Sequence, residues 1–82
     1  MGRIMISFLY VISETKERTN IEPFYENMER AEVYYRYECG MINRKYRHKV
    51  QLVRGDFLLG RDNKVLRGGI HEVIKEYIQD GR

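Results

Sequence analysis

The clearest signal along the chain is a run with almost no polar position. Ile4 to Ile12, "IMISFLYVI", is apolar except for Ser7 and rich in β-branched and aromatic residues. A run of this length reads as a strand buried on both faces, central in its sheet. The next eight residues, "SETKERTN" (13–20), form a polar connection with no apolar anchor.

The pattern then changes period. Phe24, Met28, Ala31 and Tyr35 recur at helical spacing. Glu26–Arg30 and Glu32–Arg36 are i,i+4 pairs. Thr19 or Asn20 can cap, Pro23 suits a first turn, and Gly40 suits the residue after a helix. These features predict a helix over 22–38. "EVYYRYEC" (32–39) also alternates as a strand would. No turn residue separates it from the helical part, so one continuous helix is expected.

From Lys45 the period is two. Tyr46, His48, Val50 and Leu52 share one face, and Lys45, Arg47, Lys49 and Gln51 share the other. "RGD" (54–56) reads as a turn, "FLLGR" as the next strand, "DN" (62–63) as another turn and "KVLR" as a short strand. "GG" at 68–69 breaks the chain. Ile70, Val73, Ile74, Tyr77 and Ile78 then make the apolar face of a closing helix that Gly81 ends. The expected order is β-α-β-β-(β)-α in one small domain, an α+β fold with helices packed on one face of a mostly antiparallel sheet. Its β-β-β-α ending resembles, in architecture alone, the double-stranded-RNA-binding domains, provided 32–39 is a strand. Those domains open their last helix with a lysine pair. "RGGIHEV" stands here instead, and membership is not inferred.

Size and composition fit that picture. At 82 residues the chain is one domain with a thin core. Seven of its ten aromatic residues are tyrosines, which keep a wet hydroxyl and suit shallow cores and interfaces. The apolar start is too short to span a membrane. "VISETK" offers no signal-peptide cleavage site, so a cytoplasmic protein with no membrane partner is expected. The single cysteine, Cys39, cannot form an internal disulfide.

Charge is what adds a functional expectation. The net charge is +3. Residues 43–67 hold eight lysines and arginines against two acids, while residues 1–42 and 68–82 are each net acidic. A basic two-stranded ribbon can clamp phosphates. The sequence therefore points to a small non-enzymatic protein that binds RNA or DNA through a hairpin over 43–67. Lys45, Arg47 and Lys49 lead, supported by Arg44, Arg54, Arg61, Lys64 and Arg67, acting by backbone neutralisation. Alternation alone also accounts for Lys45, Arg47 and Lys49 as the wet side of an ordinary strand.

The alternative is a protein-interaction or regulatory module. Tyr25, Tyr34, Tyr35 and Tyr37 cannot all face one core from one helix. Tyr25, Tyr34 and Tyr37 are thus the candidate interface, for a homodimer or another protein. No catalytic constellation, metal site or cofactor is expected. "HEVIKE" lacks the second histidine of a zinc-protease helix. Two histidines and one cysteine do not assemble a zinc site of the usual kind. His48, on an apolar face, reads as a bonded core histidine, and "RGD" as turn chemistry.

Overall fold

The computed structural model describes residues 7–40 and 48–79. Its strands are β1 (Phe8–Thr15) and β2 (Thr19–Tyr25), followed by helix α1 (Met28–Gly40), then β3 (His48–Gly55), β4 (Leu58–Leu59), β5 (Val65–Arg67) and β6 (Ile70–Gln79). A short 3-10 turn, Arg61–Asn63, joins β4 to β5. The main sheet has the order β2-β1-β3-β6 with every neighbour antiparallel, and β4–β5 is a separate two-stranded ribbon. The α+β class stands: a single domain with one helix packed on a four-stranded antiparallel sheet.

β1 is central, as its apolar run requires, although Ile4 to Ile6 lie outside the described residues. Its two faces build two cores. Leu9 and Val11 join Val50 and Leu52 of β3 beneath Ala31 and Tyr35 of α1. Tyr10 joins Ile21 and Val53 on the other side, under Phe57 and Leu59. Phe24 and Met28 pack at the rim of the first core, so the helical stripe read from the sequence does face the sheet.

Three elements differ from expectation. Residues 19–25 are a strand, not the start of the helix. Thr15 shapes a tight turn, its hydroxyl accepting from the backbone N–H of Glu17 and Arg18, both at 3.4 Å. Pro23 is tolerated because β2 is an edge strand. The helix begins instead after Asn27, whose Oδ1 accepts from the Arg30 N–H at 3.0 Å.

The expected closing helix over 70–81 is strand β6, with Gly81 outside the described residues. Two bulges in β6 explain the deceptive period. Arg54 pairs with Glu72 but Gly55 with Ile70, and Leu52 pairs with Lys75 but Val53 with Val73. His71 and Ile74 are therefore extra residues. Ile70 and Val73, three apart, consequently share the face of Gly55 and Val53, which imitates helical spacing.

The third difference concerns β3. It was expected to be half-buried, with Lys49 and Gln51 on the wet side. It lies instead between β1 and β6, so Gln51 is only 8% exposed and its Nε2 donates to Glu76 Oε2 at 2.7 Å. With 32–39 helical and 70–79 extended, the element order of a double-stranded-RNA-binding domain is not formed.

Candidate nucleic-acid interface

β3 and β6 form one long hairpin, and residues 56–69 are its tip, folded back over the sheet face opposite α1. Gly and Asp residues make the fold-back. The Asp56 N–H donates to the Gly69 carbonyl at 3.1 Å, and the Gly69 N–H donates to Asp56 Oδ1 at 2.9 Å. His71 Nε2 lies 3.3 Å from the same carboxylate oxygen. These bonds, the Gly69 N–H first and then His71, hold the Asp56 carboxyl below the usual aspartate range against a smaller opposing effect of desolvation. At Gly55 a side chain would run into the Gly69 carbonyl. The "RGD" and "GG" stretches are thus two halves of one crossing.

The tip is seated by Phe57. Its ring meets Tyr10 edge-on at 5.0 Å, and the Tyr10 hydroxyl donates to the Phe57 carbonyl at 3.1 Å. Burial, reinforced by the Asp56 charge, pushes the Tyr10 hydroxyl up, so it stays a donor. The Asp62 and Asn63 turn is left-handed, with φ of 57° and 56°, a conformation these residue types accept. Asn63 Nδ2 donates to Glu22 Oε2 at 3.3 Å, tying the turn to β2.

Of the cations named from the sequence, the described ones fall on two sheets, Lys49 and Arg54 on β3 and Arg61, Lys64 and Arg67 on the β4–β5 tip. Arg44, Lys45 and Arg47 lie outside the described residues. Lys49 faces Glu14 of β1, Nζ to Oε1 at 3.7 Å. Arg54 is half-buried near the end of β3, opposite Glu72. Arg61, Lys64 and Arg67 are exposed on the tip, and none of them makes an ion pair among the described residues. β3 separates position 48 from position 55 by about 23 Å of strand. Lys49 and the tip cations therefore belong to opposite ends of it.

Two hollows flank Phe57 and share Phe8, Tyr10 and Phe57 as walls. One, of about 570 Å³, reaches Asp56 and Arg67. The other, of about 300 Å³, reaches Tyr25, Gly60 and Asn63. Tyr25 is 63% exposed, stands at φ 54° and meets Phe8 edge-on at 5.5 Å. Nothing in the periodicity marked Phe8 and Phe57 as neighbours of Tyr25. The strand parity of Phe8 and Tyr10 was the only available clue.

The structure splits the tyrosine set. Tyr34 and Tyr37 stack at 6.0 Å on α1, and Phe24 lies 5.3 Å from Tyr34. With Val33, Glu29 and Arg30 they line a groove of about 400 Å³. Tyr25 is not on that helix. Tyr35 is buried, its hydroxyl pushed up to about 12 mainly by burial. Burial also pushes the Cys39 thiol up, and the hydrogen bond from Tyr35 opposes this only in part. Cys39 therefore lacks the electropositive setting of a reactive thiolate.

His48 is the bonded core histidine its parity suggests: Nε2 lies 2.6 Å from Ser13 Oγ, both side chains buried. Among the described residues, no three His, Cys, Asp or Glu side chains converge as a metal site. No described helix is long and apolar enough to cross a membrane. No protein-family model matches the chain, and no curated protein or solved structure is significantly similar to it.

Proposed function

We propose that this is a non-enzymatic nucleic-acid-binding protein that grips phosphates with the 56–69 tip. The observation that carries the reading is the state of Arg61, Lys64 and Arg67. They sit on a ribbon separate from the main sheet, exposed, with no acid paired to them among the described residues. Such cations release phosphate counterions without first breaking an ion pair. Arg54, Lys49, Arg44, Lys45 and Arg47 add to the same positive field. RNA and DNA both fit phosphate contacts, and a cytoplasmic location goes with the reading.

Fluorescence anisotropy with labelled oligonucleotides across a salt series tests it. Three phosphate contacts predict a slope of log K against log salt of about −2 to −3. Changing Arg61, Lys64 and Arg67 together to Gln weakens binding at least about tenfold at low salt and flattens the slope. A salt-independent signal, or one the triple change leaves intact, defeats the reading.

The α1 groove favours a second reading, docking of a second copy or another protein. Val33 and Tyr37 are 55% and 56% exposed beside stacked rings, and tyrosine is a common interface anchor. Sedimentation equilibrium at micromolar concentration checks the homodimer. A dimer that Val33→Asp plus Tyr37→Ser converts to monomer supports it, and a monomer throughout removes it.

A further inference from the structure

Resting on the nucleic-acid reading above, we infer that the ligand is single-stranded, with bases stacked in the aromatic trough beside the tip and phosphates on the tip's cations. The two hollows adjoin across the Tyr10–Phe57 pair, so the trough runs from Tyr25 at one end to Arg67 at the other. One wall is the sheet face with Phe8 and Tyr25. The other is the tip. Gly60 and Asn63 line the tip wall opposite Tyr25, which puts Arg61 and Lys64 next in sequence to lining positions. Arg67 lines the far end itself. Rings in the trough, Arg67 at its end and Arg61 and Lys64 next to its lining positions match the two parts of a nucleotide chain.

Single strands alone meet that arrangement. Base faces in a duplex are stacked on one another and reach no protein ring, whereas unpaired bases stack on exposed aromatics regardless of sequence. Tyr25 presents such a ring. Its left-handed backbone is one that bulky side chains rarely adopt, and its ring meets Phe8 edge-on. Asp56 also borders the trough, where its carboxylate accepts from the Gly69 N–H and faces His71 at 3.3 Å. The α1 groove is lined by one cation, Arg30, against the three exposed on the tip.

The test compares three labelled or competing polyanions: an oligothymidylate of roughly a dozen nucleotides, a duplex of the same length, and heparin. Single strand binding about tenfold or more tighter than duplex is expected. Tyr25→Asn removes the ring and keeps a residue type that accepts positive φ. It weakens the single strand about tenfold and leaves duplex and heparin unchanged, while Tyr25→Phe binds as the parent does. Shifts of the Tyr25 ring protons on titrating the unmodified protein give a readout that needs no variant. Equal affinity for single strand and duplex, or indifference to Tyr25→Asn with unmoved ring protons, overturns the inference while leaving phosphate binding by the tip in place. Absence of binding to any of the three polyanions overturns both.

Discussion

Gly68 and Gly69 are indistinguishable in the sequence, yet the fold treats them differently. Gly68 has φ 105°, and a side chain there would collide with the Asp56 carbonyl. Gly69 has open space around the position a Cβ would take. Gly68→Ala is therefore expected to destabilise by about 1–3 kcal/mol, whereas Gly69→Ala is close to neutral, as urea unfolding of both variants would show. Asp56 beside them makes the same crossing sensitive to acid. Its folded-state pKa is lowered, so its contribution is present above the ordinary aspartate value of 3.8 and fades as pH falls through the folded value. The gap in melting temperature between the parent and Asp56→Ala should be open at neutral pH and begin to narrow only as pH falls below the ordinary aspartate value of 3.8.

At the scale of elements, burial ranks the residues of β1 differently from their appearance in the run. Phe8 is the larger side chain but half-buried at the strand's start, while Leu9 and Val11 are 1% exposed beneath α1. Leu9→Ala should cost about 2–5 kcal/mol, and Phe8→Ala distinctly less than a full phenylalanine deletion in a core. Chemical denaturation of the two variants orders them. An equal or larger loss at Phe8 would mean that the tip-side core outweighs the helix-side one. β6 shows the opposite limit of sequence pattern. Its apolar residues fit a helix until the two bulges reset their parity, and nothing local in "IHEVIKEYIQ" announces a bulge. What holds it extended is β3 beside it. The helix on the sheet is tied to the same strand by the Lys75–Glu32 pair at 2.8 Å.

Taken as a whole, the molecule is a sheet with a helix on one side and its own hairpin tip on the other. β1 touches every part of that plan: β2 and β3 flank it, α1 packs on Leu9 and Val11, and the tip packs on Tyr10. A chain beginning at Thr15 loses both cores at once and should show no cooperative melt by circular dichroism. Cooperative melting like that of the full chain would contradict a central β1. The charge separation also belongs to this scale. Among the described residues, Lys49 and the tip cations fall at opposite ends of β3, because that strand runs the length of the sheet between them.

The amino-acid sequence by itself determined the α+β class, the buried β1, the Ala31 and Tyr35 stripe of α1 and the turns at 62–63 and 68–69. Each follows from local chemistry: an apolar run, a helical period, residue types that accept left-handed backbone. It also marked His48 as a core residue. It misread β2, because Asn20 and Pro23 open a helix as readily as they sit on an edge strand, and only pairing with β1 chooses between them. It misread β6, because a twice-bulged strand and a helix can share one apolar spacing. That Lys49 is tied to an acid was decided by strand order, since it meets Glu14 only when β1 lies beside β3. The aromatic trough is likewise a product of tertiary structure. Phe8, Tyr25 and Phe57 come from three separate segments, and a ring's neighbours across a fold are set by register and fold-back, which no local pattern records.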